Sequence, residues 1–320
     1  MKTNKWSIII VVLGVVISHF ATAQQAPQYT QYIFNELVIN PAYAGNKGIL
    51  NLNATYRNQW SGLEGAPTTQ FLSVDGPTGK SNMGWAGYIV HDEIGAQSQT
   101  GVYGSASVGI DMSNTAKLSF GLSLGAVQYT IDGTKLTTGS ETPDVAVPQG
   151  RESKVLPDAK IGAFLHTDRF FAGLTAASLI PFDSDNMFIA TPRRHYFLST
   201  GYTFDLNSNL RLKPSVLFKE DFDSPTNIDL NSFLVYNDRF WFGVSYRTSA
   251  PMFTDVETEN LKKRNALAIL AQVYATPRFR VGYSYDISLG KMKNYSTHEI
   301  SIGYSFFKSE NGRILNPRNL

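Results

Sequence analysis

Few clusters in this 320-residue sequence have the residue types and spacing to do chemistry. The run GLSLG (Gly121–Gly125) fits the G-x-S-x-G pattern of a serine nucleophile. That chemistry needs the serine on a sharp strand-to-helix turn, and Ser123 lies inside an unbroken alternating run. GPTGKS (Gly76–Ser81) ends like a phosphate-binding loop, but the first glycine of such a loop would fall at Val74, which leaves a turn between strands. The histidines His19, His91, His166, His195 and His298 stand apart, and there is no cysteine, so no zinc-ligand spacing exists. His91-Asp92-Glu93 could be drawn as an acid–base group, but it sits where a strand becomes a loop, an ordinary place for solvated polar residues. Asp183-x-Asp185 and Asp221-x-Asp223 offer two carboxylates each, short of the oxygen count calcium needs. Lys262-Lys263-Arg264 reads as a solvated run or a contact for anionic surface sugars. A barrel-embedded lipid hydrolase would need a serine with a histidine within reach. The residues therefore imply no cofactor, no metal and no catalytic set.

The elements around these residues are more informative. In KLSFGLSLGA (Lys117–Ala126), Leu118, Phe120, Leu122 and Leu124 alternate with Ser119, Gly121, Ser123 and Gly125. RFWFGVSYR, RFRVGYSYDI and HEISIGYSFF alternate in the same way. A helix would scatter alternate residues around its axis, so this period of two predicts strands. About fourteen such segments follow one another, at 49–57, 69–74, 83–91, 100–111, 117–130, 158–166, 169–178, 194–205, 210–219, 226–237, 239–248, 265–275, 278–288 and 298–307. The connections alternate too. Longer ones (58–68, 92–99, 131–157, 179–193, 220–225, 249–264, 289–297) are separated by tight turns such as SNTA, HTDR, LNSN, YNDR and ATPR, with 76–82 as the exception. Long loops at one end and short turns at the other are the habit of outer-membrane barrels. An even strand count puts both chain ends on the short-turn, periplasmic side.

Composition agrees. MKTNKW followed by SIIIVVLGVVISHFATA reads as a secretory signal peptide over 1–23, cut near Gln24; its apolar core is too short to span a bilayer comfortably. Removing Lys2 and Lys5 takes the 28 basic residues to 26, equal to the 26 acidic ones, so charge gives no support for a nucleic-acid partner. Without cysteine, neither a lipoprotein anchor nor a disulfide scaffold is available. After Ala23 no apolar run is long enough for a transmembrane helix. With 20 Phe, 16 Tyr, 4 Trp and only 17% charged residues, an exported chain of this kind predicts an all-β, transmembrane outer-membrane β-barrel of about 14 antiparallel strands. The competing reading is a soluble sandwich with one wet face, which would show less aromatic enrichment at strand ends. The expected organisation is a signal peptide at 1–23, an N-terminal segment at 24–48, a barrel at 49–307 and a periplasmic tail at 308–320. Fourteen strands enclose more space than side chains alone fill. The inward set is small and polar, with Arg211, Lys213 and Lys219 on one strand, so the lumen holds either water or another segment.

The N-terminal segment carries a resemblance. Gln28-Tyr29-Thr30-Gln31-Tyr32, Asn40-Pro41-Ala42-Tyr43-Ala44-Gly45, Tyr56-Arg57-Asn58-Gln59-Trp60 and Gly65-Ala66-Pro67-Thr68-Thr69-Gln70 occur in order, and the closing strand His298-Glu299-Ile300-Ser301 is similar as well. Together they resemble the PorP/SprF family of outer-membrane proteins of the type IX secretion system in Bacteroidota. The chain departs from the family pattern at Glu36, where a second Asn-Pro step would stand. The resemblance implies a barrel without enzymatic activity, acting in export, surface retention or gliding. It implies partners in the outer-membrane lipid, in large surface proteins with a C-terminal secretion signal and in periplasmic machine components. The residues themselves suggest that 28–45 folds against the lumen or the periplasmic rim. There Tyr29, Tyr32, Phe34 and Tyr43 would pack on inward Gly and Ser faces and Asn40-Pro41 would set a turn, with Arg57 and Trp60 bordering the lumen. A loose periplasmic lead-in is the alternative for this segment, and a general diffusion porin is the alternative for the whole chain.

Overall fold

A computed structural model describes residues 28–79, 82–136, 148–180, 193–254 and 265–306. The expected signal peptide and C-terminal tail, His19, Asp183-x-Asp185 and Lys262-Lys263-Arg264 lie outside the described residues, as do Lys80 and Ser81.

The strands are β1 (Leu50–Asn58), β2 (Thr68–Pro77), β3 (Met83–Ile94), β4 (Gln97–Asp111), β5 (Lys117–Asp132), β6 (Arg151–His166), β7 (Phe170–Ala177), β8 (His195–Tyr202), β9 (Phe204–Asp205), β10 (Leu210–Glu220), β11 (Thr226–Tyr236), β12 (Phe240–Ala250), β13 (Ala266–Tyr274), β14 (Phe279–Ser288) and β15 (Ser296–Phe306). Each pairs antiparallel with its sequence neighbour, except that β10 pairs with both β8 and the two-residue β9. β1 pairs with β15 from Leu50↔Phe306 to Asn58↔His298, which closes the sheet. Counting β8 and β9 as one interrupted stave gives a closed barrel of fourteen. Closure satisfies the backbone N–H and C=O groups that lipid could not.

The side chains alternate as the sequence expects. On β12, Phe240, Phe242 and Val244 are exposed, while Trp241, Gly243, Ser245 and Arg247 are buried. On β5, Phe120, Leu122 and Leu124 face out and Ser119 and Ser123 face in. The outward apolar groups belong in lipid and the inward ones form the core. No helix among the described residues is long and apolar enough to cross a membrane; the strands cross.

Two of the long connections are shorter than the sequence suggests. The 92–99 loop is a turn at Gly95-Ala96, with Gly95 at φ 58°. The 131–157 loop shrinks to 133–150, because β5 and β6 each continue for 16 residues. β6 pairs with β7 only from Ile161 to His166, so its upper half stands beyond that neighbour. On that edge Ala159 C=O accepts from Leu179 N–H at 3.0 Å, and Ala159 N–H donates to the Asp158 carboxylate at 2.8 Å. Pro157, two residues on, has no N–H to leave open, a usual guard on strand edges. Pro157 and polar Lys154, Ser153 and Glu152 are what made the stretch look like loop.

Candidate functional site: the N-terminal segment inside the barrel

Residues 28–48 run through the lumen from the long-loop end, where Thr30 and Gln31 meet Glu299, to the short-turn end, so the described segment begins opposite the periplasmic side expected for it. Three single 3-10 turns, Tyr32–Phe34, Glu36–Val38 and Pro41–Tyr43, make up the path. The third starts at Asn40, whose side-chain oxygen accepts from Ala42 N–H at 2.9 Å while Pro41 takes the first turn position. An Asn cap and a proline whose missing N–H is not needed there fix the turn locally. The Asn40 amide also donates to Ala163 C=O of β6 at 3.0 Å.

The wall leaves room for this turn. A Cβ at Gly121 of β5 would overlap Pro41 and Ala42, one at Gly162 of β6 would overlap Asn40, and one at Gly84 of β3 would overlap the Ala44 carbonyl. Ser107 donates to that same carbonyl at 2.6 Å. Gly45 ends the turn at φ 69°, a region side chains disfavour, and its N–H faces Asp75 at 3.4 Å. Inward glycines on β3, β5 and β6 thus form notches for the turn.

The upper end is held by charge. Arg57 of β1 donates to Glu299 of β15 at 2.8 Å and to Asp286 of β14 at 3.0 Å. Glu299 in turn accepts the backbone N–H of Thr30 at 2.9 Å and of Gln31 at 3.1 Å. The Thr30 hydroxyl donates to Asp286 at 2.6 Å and accepts from Arg57 at 2.7 Å, and the Gln31 amide donates to Glu299 C=O at 2.6 Å. The side chains of Arg57, Asp286 and Glu299 are no more than 6% exposed. Here one cation meets two carboxylates. Nearby Asp229 sits between Lys219 at 2.8 Å and Arg247 at 2.7 Å, and Arg247 is within electrostatic reach of Asp286 and Glu299. Three cations therefore balance three carboxylates, the condition for burying them.

Aromatics fill the space between. Phe34 meets Phe233 at 5.4 Å and Trp241 at 6.2 Å, both edge-on, and Tyr43 meets Phe164 at 5.4 Å. Tyr29 packs on Phe71 at 6.2 Å, beside the Tyr88–Tyr103 stack. The Tyr32 hydroxyl accepts from Asn231 at 2.6 Å. Glu36 is 3% exposed, and its Oε2 has no hydrogen-bond partner among the described residues.

Of the residues singled out from sequence, Tyr29, Tyr32, Phe34, Asn40, Pro41, Tyr43 and Arg57 come together inside the barrel. Trp60 stands apart at the long-loop end, at φ 54° with its N–H on Thr297 Oγ1 at 3.1 Å. Sequence reasoning missed Thr30, Gln31, Asp286, Glu299, Glu36 and the notch glycines as parts of this site. Asp286 and Glu299 are charged residues on the inward parity of alternating strands, the signal that could have found them.

The other chemistry candidates resolve into structure. Ser123 is buried in β5, 3.5 Å from the Tyr88 hydroxyl. Asp221 accepts from the N–H groups of Asp223 and Ser224 and so builds a turn. His91 bonds Thr100 at 2.8 Å and Asp92 bonds Thr69 at 2.5 Å. Among the described residues no group of three His, Asp or Glu could hold a metal. A serine does reach a histidine on the outer face: Ser296 Oγ is 3.2 Å from His298 Nε2. The other ring nitrogen meets the Tyr283 hydroxyl at 2.7 Å, a phenol where a serine triad uses a carboxylate to hold the imidazole.

A closed, outwardly apolar antiparallel barrel with a polar, occupied lumen defines an integral outer-membrane β-barrel protein. Residues 21–304 match the model of the type IX secretion system membrane protein PorP/SprF family. The chain belongs to that family and is a membrane component of the type IX secretion system. No curated protein matches it. Among solved structures it is similar to the Acinetobacter baumannii outer membrane protein Omp33 (11% identity, 81% of this chain and 98% of that one, TM-score 0.46). It is also similar to a Pseudomonas aeruginosa FadL homologue (14%, 90% and 96%, TM-score 0.48). A third similarity is to the monoaromatic hydrocarbon channel CymD (12%, 88% and 94%, TM-score 0.49).

Proposed function

We propose that this protein is a non-enzymatic, plugged barrel that assists secretion and cell-surface attachment of large proteins of the gliding or adhesin type, which carry a C-terminal secretion signal. Residues 28–45 act as the plug. The outer loops at 133–150, 178–194 and 251–265 meet the surface protein, since binding concentrates in long loops. The short-turn end meets periplasmic components of the secretion machine.

The observation that carries this reading is the filled lumen. The plug is joined to the wall by a buried ion-pair cluster at one end and by glycine notches at the other. A general diffusion porin needs an aqueous path with charged groups facing it; here Phe34, Phe233 and Trp241 occupy that space. Tagged protein recovered from the native outer membrane should bring down a large surface protein, identified by mass spectrometry. A barrel recovered alone defeats the secretion reading. In planar bilayers the whole protein should be silent and the variant lacking 24–45 should conduct. Sugar flux at porin rates through the whole protein would favour the porin.

A further inference from the structure

We infer that the N-terminus of the mature chain lies on the cell surface, and that the plug leaves the lumen only by drawing that terminus inward, so that whatever holds the terminus outside keeps the barrel shut. This inference rests on the plug reading above and adds the direction in which the plug is released.

The sheet begins and ends at the short-turn end, where Leu50 of β1 pairs with Phe306 of β15. The segment ahead of β1 then crosses the whole lumen. Its lower end is set among short-turn residues: Ser119 donates to Asn46 at 3.0 Å, and a Cβ on Gly45 would overlap the Gly76 carbonyl near the close of β2. Its upper end lies at the opposite mouth. Thr30 and Gln31 meet Asp286 and Glu299, the two carboxylates that engage Arg57 near the last residue of β1. Gln28 and Tyr29 share a pocket with Glu220, Asp221 and Pro225 of the long-loop connection after β10.

Reach then decides where the terminus is. With the signal peptide cut near Gln24, four residues precede Gln28, and four fully extended residues span about 14 Å. The apolar band of such a barrel is about 25 Å tall. The lumen below Gln28 is filled by the segment itself, with Tyr32, Phe34 and Tyr43 buried in it, and the outer wall faces lipid. The terminus therefore has no way back to the short-turn end. The two holds on the segment also differ in kind. The lower one is the covalent chain running on into β1. The upper one is a cluster of ion pairs and hydrogen bonds, which can open. A segment tethered below and freed above leaves the lumen downward, and its terminus follows through the barrel. Gln24-Gln25-Ala26-Pro27 carries no charged or aromatic side chain, so nothing on it obstructs that passage. A bulky group bound to the terminus from outside does obstruct it. A surface protein held there seals the barrel that anchors it.

The chain has no cysteine, so single cysteines report position without background. Intact cells carrying Ala26→Cys, Lys291→Cys in the exposed connection after β14 or Asn114→Cys in the exposed turn after β4 are treated with a membrane-impermeant biotin maleimide. Ala26→Cys should label as fully as Lys291→Cys and at least tenfold more than Asn114→Cys, and mass spectrometry of the labelled peptide reads the cut. Labelling of Ala26→Cys no higher than that of Asn114→Cys, in protein shown to be folded by heat-dependent gel migration, overturns the inference. In planar bilayers Glu299→Ala, which loosens the upper hold, should add brief openings to the biotinylated Ala26→Cys protein. Streptavidin on the long-loop side should remove most of them and streptavidin on the other side should not. With the biotin on Lys291→Cys instead, streptavidin should leave the openings alone. Thr30→Ala serves in the same way if Glu299→Ala does not fold. Openings that ignore streptavidin, or no openings in either variant, overturn the release direction. Surface labelling of Ala26→Cys with a silent 24–45 deletion would spare the threading and defeat the plug. Surface labelling without recovery of a surface protein would spare the threading and defeat the anchoring reading, and recovery with a shielded terminus would do the reverse.

Discussion

Arg57 and Glu299 are direct cross-strand partners on β1 and β15, the two strands whose pairing closes the barrel, and their side chains meet at 2.8 Å. The same carboxylate takes the backbone N–H groups of Thr30 and Gln31. Closure of the sheet and docking of the N-terminal segment therefore share one charge cluster. The closing seam between the first and last strands is also the site that receives the segment preceding β1.

Glu299→Ala should be strongly destabilising. It leaves Arg57 buried with one of its two carboxylates and leaves two backbone N–H groups of the segment unpaired. Breaking one side of a buried pair typically costs about 3–5 kcal/mol. The urea midpoint of the folded barrel should fall, and residues 28–45 should become cleavable by protease before the strands do. An unchanged cleavage pattern would mean the cluster does not hold the segment.

Gly121→Val should undock the segment while the barrel stays closed. Valine suits a strand, but its Cβ would occupy the place of Pro41 and Ala42. Bilayer conductance should appear in this variant. The exchange Leu122→Val, on the lipid face of the same strand, should remain silent.

Asn40→Ala should have a smaller effect. It removes the acceptor for Ala42 N–H and the donor to Ala163 C=O, worth about 1–2 kcal/mol for a cap and a partly buried bond. Hydrogen exchange at Ala42 should quicken, with the β1 amides unaffected.

Much of this was legible in the residues. Alternation in stretches such as Lys117–Ala126 fixes strands, and SNTA or ATPR fixes their turns, because a period of two and turn chemistry act over a few residues. The Asn-Pro pair at 40–41 likewise dictates its own turn. The extra length of β5 and β6 was not legible, since Glu152, Ser153, Lys154 and Pro157 look like loop until the partner strand supplies their register.

By itself, then, the sequence determined the barrel, its strand count, its lipid face and the family motifs. Only the tertiary structure decided that Arg57, Asp286, Glu299 and Thr30 converge, and that Gly84, Gly121 and Gly162 make room for Ala44, Ala42 and Asn40. Those residues lie up to 269 positions apart. What joins them is the closure of the sheet, which sets register and curvature across all fourteen staves at once; local periodicity carries no information about which inward faces will meet across the lumen.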